Sequence, residues 1–494
     1  MKQSSKETLN KGASIASIRL KGEPYRQNIG KETIDCTDTL ESLAHNTRYE
    51  KRLKQEILKS EYFLQPLYEG GYYGIDAKIK SGYPLSFKEA FSLIAFVAMG
   101  TNNAIHKELS SKVKIGDTSQ ETVMYQAISL LTSMSTKESF YGLTANEIAG
   151  LTAATLQLDT IVRINSNQPT FGMGGMGGDH GYPRKGNNSK LFSLSTMGAA
   201  VLANFGTTHK HHSYPNTSKI AGQTAVESLG ARSDQNTKEQ FEFLQNETNL
   251  LMSSCHTTRT IHTLSHRLKG ETINHVIGPL SIPVSFDTEL HALIGTNHNV
   301  HPETIIKSLQ VLEQHQIQRY RNSVAFSGIL GKKMPSVLLS DQEYYQNPEI
   351  KKIVVIDEVA PPPNITLASF LVNGKNKGTF YITPEDFLGS DYSNSVNFGK
   401  LLIPNTAKDI LKANHDAITG SDFAKSIYLS MTVALALFTK DYAHLPNALD
   451  VKSHRINSDM LQECLITAHD CITSGHAKEK LNKYIQATQT SVGL

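Results

Sequence analysis

Five of the seven residues in Gly172-Met-Gly-Gly-Met-Gly-Gly178 are glycine, and Asp179 closes the run. A backbone without Cβ atoms lets a ligand come close, and consecutive N–H groups in such a stretch can turn toward one anion. Asp179 is placed to hold a water or a metal ion beside the same oxygens. Gly-rich segments also serve as plain flexible linkers. On this stretch alone a phosphate cradle and a linker both stay open.

The next residues along the chain favour the cradle. Ser193-Leu-Ser-Thr196 stands directly before the helical run Met197, Ala199, Ala200, Val201 and Leu202. Ser195 or Thr196 suits an N-cap, which would aim a helix N-terminus and its free N–H groups at the same space. Capping alone, however, needs no ligand. Thr208-His-Lys-His-His-Ser213 then ends an apolar segment. Lys210 would supply a mobile positive charge, and Ser213 and Ser218 could donate to phosphate oxygens. Three near-adjacent histidines rarely converge on one ion, so surface imidazoles are a plainer reading than a metal site. Finally, Asp357-Glu358 ends the apolar run Ile353-Val-Val-Ile356. Adjacent carboxylates at a strand end can hold Mg2+ through oxygen and water, with a substrate diphosphate completing the shell. The plain alternative is a solvated acidic pair in a loop.

The elements that would position these groups belong to a chain of 494 residues, 39% hydrophobic and 19% charged. That is ordinary for a globular protein, and long enough for more than one domain. A formal net charge of +3 gives no global pull toward nucleic acid or membrane. Cys36, Cys255, Cys464 and Cys471 form no CxxC pair and no zinc spacing, so reduced thiols are expected. The N-terminus has no continuous apolar core and no window nears the roughly 20 apolar residues of a membrane span. The chain reads as cytoplasmic.

Residues 1–80 read as a polar N-terminal extension. Residues 81–165 read as a helical domain, with part of the chain near 250–275 joining it, and 166–494 as an α/β domain. Ser86 ahead of Phe91, Leu93, Ile94, Phe96 and Val97 marks one helix start; a second helix follows Thr118 and a third follows Thr144. From Pro169 onward Gly-rich turns alternate with short apolar runs, giving strand candidates at Val276–Ile277, Val324–Ile329 and Ile353–Ile356. Lys332 to Lys352 reads as an inserted surface segment. The last hundred residues return to helix, at Ala424–Leu437, Met460–Ile472 and Ala477–Ile485. The expected class is α/β: a small all-helical N-terminal domain plus a larger domain whose central mixed sheet is flanked by helices.

The order of these motifs resembles anthranilate phosphoribosyltransferase, of the nucleoside phosphorylase type of glycosyltransferases. The family's GTGGD loop is matched by Gly175-Met-Gly-Gly-Asp179, and its NxST motif by Ser193-Leu-Ser-Thr196. Its KHGN segment is matched by Lys210-His-His-Ser213, and its later paired serines by Thr217-Ser218. Glu271-Thr-Ile-Asn-His-Val-Ile-Gly-Pro-Leu280 is similar to its RTIFNxLGPL block, and Ile356-Asp-Glu-Val359 to its second metal motif. The similarity runs from about residue 85 to 487 and implies a dimer formed through the helical part, with phosphoribosyl diphosphate (PRPP) and Mg2+ in the cleft.

Carried over residue by residue, it implies a donor site of Gly175, Gly177, Gly178, Asp179, Ser193, Ser195, Thr196, Lys210, Ser213 and Ser218. It implies Mg2+ on Ser195, Asp357 and Glu358, and catalytic work for Lys210, Asp357 and Glu358. It implies an acceptor side of His211, Ser265, His266 and Arg267. Three departures stand out. Ser193 replaces the family's Asn; Ser213 and Tyr214 replace an Asn and an Arg. Ser265 stands where the arginine that pairs with the anthranilate carboxylate is expected, and a bidentate arginine is the group best suited to a carboxylate. The expected reaction is transfer of 5-phosphoribosyl from PRPP to nitrogen of a small aromatic or heterocyclic acceptor. Two other readings stand beside it: a pyrimidine-nucleoside phosphorylase-like enzyme, which the acidic pair disfavours, and a non-catalytic nucleic-acid-binding homologue, which the small net charge disfavours.

Overall fold

The structure is a computed structural model that describes residues 47–176, 189–190, 192–212, 222–268, 272–330, 340–347, 353–392, 396, 401, 403–404 and 406–491. Its N-terminal part is helical: α1 (Thr47–Lys59), α2 (Glu61–Glu69), α3 (Gly71–Lys80), α4 (Phe87–Thr101), α5 (Gln120–Tyr141) and α6 (Ala145–Ala154). Residues 47–80, expected as part of a polar extension, instead carry buried stripes at helical spacing. Tyr49, Leu53 and Ile57 lie four apart on α1, Leu64 and Leu67 follow on α2, and Tyr72, Ile75 and Ile79 on α3. Many charged residues lie between these positions, which hid the stripe behind a polar average.

The expected helix starts in the next segment hold. Ser86 and Glu89 form a reciprocal capping box at α4, and Thr144 and Glu147 form another at α6. Helix α5 begins at Gln120, with Ser119 accepting from the Thr122 amide. Glu147 does more than cap. Fully buried, it accepts from the Leu85 amide at 2.9 Å and pairs with the buried Lys137 Nζ at 2.8 Å. One carboxylate thereby ties α4, α5 and α6 together.

The sheet is built from β1 (Thr170–Gly175), β2 (Thr208–His212), β3 (Leu250–Ser254), β4 (Glu289–Gly295), β5 (Ser323–Leu330), β6 (Val354–Ile356), β7 (Ile365–Val372) and β8 (Lys375–Ile382). Its order runs β8-β7-β5-β4-β1-β2-β3, continued past β8 by two short strands near Arg455 and Leu449. Strands β5, β4, β1, β2 and β3 are parallel to one another, while β6 and β7 run antiparallel to β5 and β8 antiparallel to β7. The mixed central sheet is as expected.

Three local readings change. Gly172, Gly174 and Gly175 are the end of the central strand β1 and not the start of a loop. The reason is packing: a Cβ on Gly172 would lie 2.1 Å from Ile282 Cδ1, and one on Gly174 2.6 Å from Pro279 Cβ. Val276–Ile277 is helical, within Asn274–Leu280, because this segment lies over β1 and the tertiary contact overrides the β-branched pair. The hairpin β7–β8 was missed, although Asn373-Gly374 between them, both with positive φ, is a strong hairpin signal.

Within 332–352, the helix Asp341–Gln346 docks inward. Buried Tyr344 donates to the His298 carbonyl, and Tyr345 Oη accepts from the His301 amide at 3.0 Å. Among the described residues no helix is long and apolar enough to cross a membrane.

The buried Lys137–Glu147 pair generates a test. Glu147→Gln keeps the capping geometry but leaves the Lys137 charge without its counter-ion, so unfolding in urea should show a loss of about 3–5 kcal/mol. Adding Lys137→Met should recover most of it.

Candidate active site at the carboxyl ends of the parallel strands

From β1 the chain moves to β2 and β3 on one side, then returns to β4 and β5 on the other. The order therefore reverses at β1, and in open α/β sheets the crevice beyond the strand ends at such a point is where ligands bind. Strand β6 reaches that crevice from the opposite direction. Gly295 ends β4 opposite Phe326 of β5, and Ile356 of β6 pairs with Gly328, two residues further along β5. The acidic pair that follows β6 is thereby driven across the ends of β4 and β1. A Cβ on Gly295 would sit 1.7 Å from the Asp357 carbonyl oxygen, and one on Gly175 would sit 2.5 Å from Asp357 Oδ2. Only glycine admits this approach.

The segment after the acidic pair is pinned. Tyr428, on the buried helix Phe423–Asp441, donates its hydroxyl to the Val359 carbonyl at 2.7 Å. The Ala360 amide donates to Thr366 Oγ1 at 2.8 Å. Tyr428 also meets Phe192 edge-on, just ahead of the helix Leu194–Leu202. Tyr428 and Gly295 are site-building residues that motif reading missed. A buried tyrosine is unremarkable in sequence, and a single glycine ending an apolar strand carries little local signal.

Lys210 stands within β2, 6% exposed, beside Met173 of β1 and Met252 of β3. The expectation of a mobile charge is corrected: a lysine in the middle of a parallel sheet is held by its strand. Burial pushes its ammonium down to about 8, and Asp357 and Glu358 are close enough to pull in the opposite direction. Both carboxylates remain partly open to solvent. Lys210, Asp357, Glu358 and Gly175 are thus brought together.

The three histidines beside Lys210 are buried, not on the surface. Burial holds His209 and His212 down to about 3 and His211 well below its ordinary value, with the Arg259 charge the next cause for His209 and His211. Strand alternation puts His209 and His211 on one face, where their Nε2 and Nδ1 share Ser253 Oγ at 2.9 and 2.8 Å. His212 and Lys210 face the other way.

The helix after the serine motif starts at Leu194, so Ser193 is its N-cap and neither Ser195 nor Thr196 is. Ser193 makes no side-chain cap; its amide donates to Asn414 Oδ1 at 2.7 Å. Ser195 and Thr196 sit in the first turn. Thr196 is next to β2, since a Cβ on Gly222 would lie 2.7 Å from Thr196 Oγ1 and 3.2 Å from His212 Cβ. Ser265 is buried and committed to Thr272 Oγ1 at 2.6 Å and to the Asn274 amide group. The backbones of His266 and Arg267 continue the helix Ile261–Leu268; their side chains, and Gly177, Gly178, Asp179, Ser213 and Ser218 entirely, lie outside the described residues.

As a chemical device, the crevice offers a buried cation, two partly exposed acidic residues and a helix N-terminus. That combination suits a polyanion accompanied by a divalent cation. The close approach at Gly295 is testable: Gly295→Ala should force the Asp357 backbone outward, lowering stability to urea by at least about 2 kcal/mol through overpacking.

No family model matches the chain. Anthranilate phosphoribosyltransferase from Methanococcus maripaludis strain C7 is 26% identical over 346 residues, covering 69% of this chain and 86% of the relative. The enzyme of that name from Oceanobacillus iheyensis is 31% identical over 199 residues, covering 39% of this chain and 54% of the relative. Among solved structures, anthranilate phosphoribosyltransferase from Thermus thermophilus superposes with a TM-score of 0.55 at 16% identity, over 84% of this chain and 99% of that one. The Saccharomyces cerevisiae enzyme in complex with PRPP and Mg gives 0.55 at 16% identity, over 85% and 99%. The chain is anthranilate phosphoribosyltransferase-like in sequence, and it carries the fold of those enzymes.

Proposed function

We propose that the protein is a Mg2+-dependent phosphoribosyltransferase that moves the 5-phosphoribosyl group from PRPP to a nitrogen of an aromatic or heterocyclic acceptor. The observation that carries this reading is the meeting of Lys210, Asp357, Glu358 and Gly175 at the reversal point of the sheet. The similarity to anthranilate phosphoribosyltransferases supports it, as does the neighbouring structure that holds PRPP and Mg.

In this reaction the anomeric C–O bond breaks with its electron pair leaving on diphosphate. The acceptor nitrogen supplies the pair for the new C–N bond, and its proton goes to solvent. Charge grows on the leaving group, so groups aimed there act in the transition state. Lys210, fixed by its strand, would face that charge without reorganising. The N-terminal turn at Ser193, Ser195 and Thr196, with Gly177, Gly178, Asp179, Ser213 and Ser218, would hold the rest of the donor. Asp357 and Glu358 fit Mg2+ because they offer hard oxygens that are partly open to solvent. Among the described residues no third His, Cys, Asp or Glu joins a metal cluster, as for an ion shared with substrate phosphates. Ser195 would be a further oxygen ligand, and bound Mg2+ would neutralise the departing diphosphate. His211, Ser265, His266 and Arg267 would face the acceptor.

We further propose a cytoplasmic homodimer joined through the helical part, whose surface exposes Tyr62, Tyr73, Tyr83, Tyr125, Phe140 and Tyr141.

Asp357→Asn should abolish metal-dependent PRPP turnover with the melting temperature unchanged; unaltered turnover removes the carboxylates from the mechanism. In thermal-shift titrations PRPP with Mg2+ should stabilise the protein, whereas a shift produced by inorganic phosphate alone would favour a phosphorylase. Lys210→Met should weaken PRPP binding by about 10- to 100-fold, the worth of one charged hydrogen-bonding group, without loss of fold.

A further inference from the structure

Asn414 is fully buried within the helix Ala407–Ile418, a place that favours neither its polarity nor its weak helix propensity. Its Oδ1 accepts from the Ser193 amide at 2.7 Å, across 221 positions of sequence. That bond fixes which way round the carboxamide lies. Nδ2, on the other side, is buried without a hydrogen-bond partner. A buried donor left unmet costs stability, and a ligand oxygen is the kind of group that would offset it.

The unmet donor stands at a helix N-terminus. Ser193 precedes the helix Leu194–Leu202 and gives it no side-chain cap. The Ser195 and Thr196 amides lie in the first turn, where their own helix has no carbonyl four residues back. His212 borders the same place. A Cβ on Gly222 would meet Thr196 Oγ1 at 2.7 Å, His212 Cβ at 3.2 Å and His212 Nδ1 at 3.7 Å. Neither ring nitrogen of His212 makes a hydrogen bond of normal geometry, although the Gly222 main chain is near enough to favour its proton. Burial and the Lys210 charge keep the ring neutral, so it offers one N–H and no charge. The approach to this turn is anchored twice to one stretch of chain. Ser189–Lys190 pairs antiparallel with Ile403–Pro404, just ahead of the Asn414 helix, and the Ser193 amide meets Asn414 itself.

We propose that Asn414 is a ligand-binding residue: its Nδ2, with the Ser195 and Thr196 amides and the His212 ring, takes the oxygens of one phosphoryl group. This rests on the phosphoribosyl-transfer reading for the identity of the donor, and adds to that site a residue from a distant C-terminal helix. The phosphoryl subsite itself rests on Asn414 and the turn it meets. Neutral donors at a helix N-terminus select a phosphoryl group by direction, leaving the charge to Lys210. Aspartate could not replace Asn414, because it would set a second acceptor against the phosphoryl oxygens.

Two variants of the full chain separate this role from a structural one. Asn414→Leu removes both amide functions, whereas Asn414→Asp keeps an oxygen for the Ser193 amide and removes only the N–H donor. Calorimetric titration uses three probes: PRPP with Mg2+, inorganic diphosphate with Mg2+, and ribose 5-phosphate. PRPP should lose at least about tenfold in affinity in both variants, the worth of one hydrogen bond to a charged group. Of the two fragments, the one whose phosphoryl group occupies the subsite should lose as much, and the other should stay within about twofold of the wild type. The loss in Asn414→Asp should persist at about 0.3 M salt, where repulsion from a distance is screened. His212→Leu should weaken the same fragment.

Wild-type affinity for PRPP in either folded variant overturns the proposal and leaves the transfer reading standing. So does an equal loss for both fragments that follows a lowered melting temperature, since a merely structural Asn414 would act in that way. Should Asn414→Leu fail to fold, Asn414→Asp alone decides. A wild-type protein that ignores PRPP but binds diphosphate through Asn414 would sink the transfer reading and keep the phosphoryl subsite. One that binds none of the three probes sinks both.

Discussion

Everything near the crevice depends on one close approach, the Asp357 backbone lying against the bare Cα of Gly295 and its carboxylate against that of Gly175. Strand β6 enters in line with the end of β4, and the acidic pair can cross the sheet ends only because no Cβ stands in the way. The Tyr428 hydroxyl on Val359 and Thr366 under Ala360 then hold the segment in that position. A shift of about 1 Å here would carry both carboxylates away from Lys210, and geometry of that order decides whether such a site works.

The electrostatics follow from the same arrangement. Lys210 is buried in a sheet that penalises its charge, and its nearest compensation is the pair of carboxylates across the crevice. The histidines around it are kept neutral by burial, so they add shape and hydrogen-bonding edges without more positive charge. Preorganised charge in a poorly solvated place acts strongly on a ligand because little must reorganise when it arrives. The helical part completes the enclosure from the other side. Asp159 and Thr101 reach across to Thr260, and the docked Tyr344 and Tyr345 tie the segment after residue 340 to the loop before Pro302.

The helix starts at Ser86 and Thr144 were legible in the chain because capping is local: the side chain and the amide it satisfies are three residues apart. The strands at Val324–Ile329 and Ile353–Ile356 were legible as short apolar runs, and the order of motifs pointed to the fold that the superpositions bear out. The same local logic failed wherever a distant segment decided the outcome. Val276–Ile277 became helix under contact with β1, the glycines before Gly175 became strand because Ile282 and Pro279 press on them, and Ser193 took the cap expected of Ser195 or Thr196.

By itself, then, the sequence determined the alternation of elements, the residue types able to handle a polyanion, and their order along the chain. Tertiary structure alone decided that Lys210 is buried, that Asp357 rests on Gly295, and that Arg259 stands deep in the protein, close enough to His211 for its charge to act on that ring. These are relations between residues as much as 147 positions apart, as Lys210 and Asp357 are. Burial and Coulomb energies depend on distance in space, which no local pattern encodes.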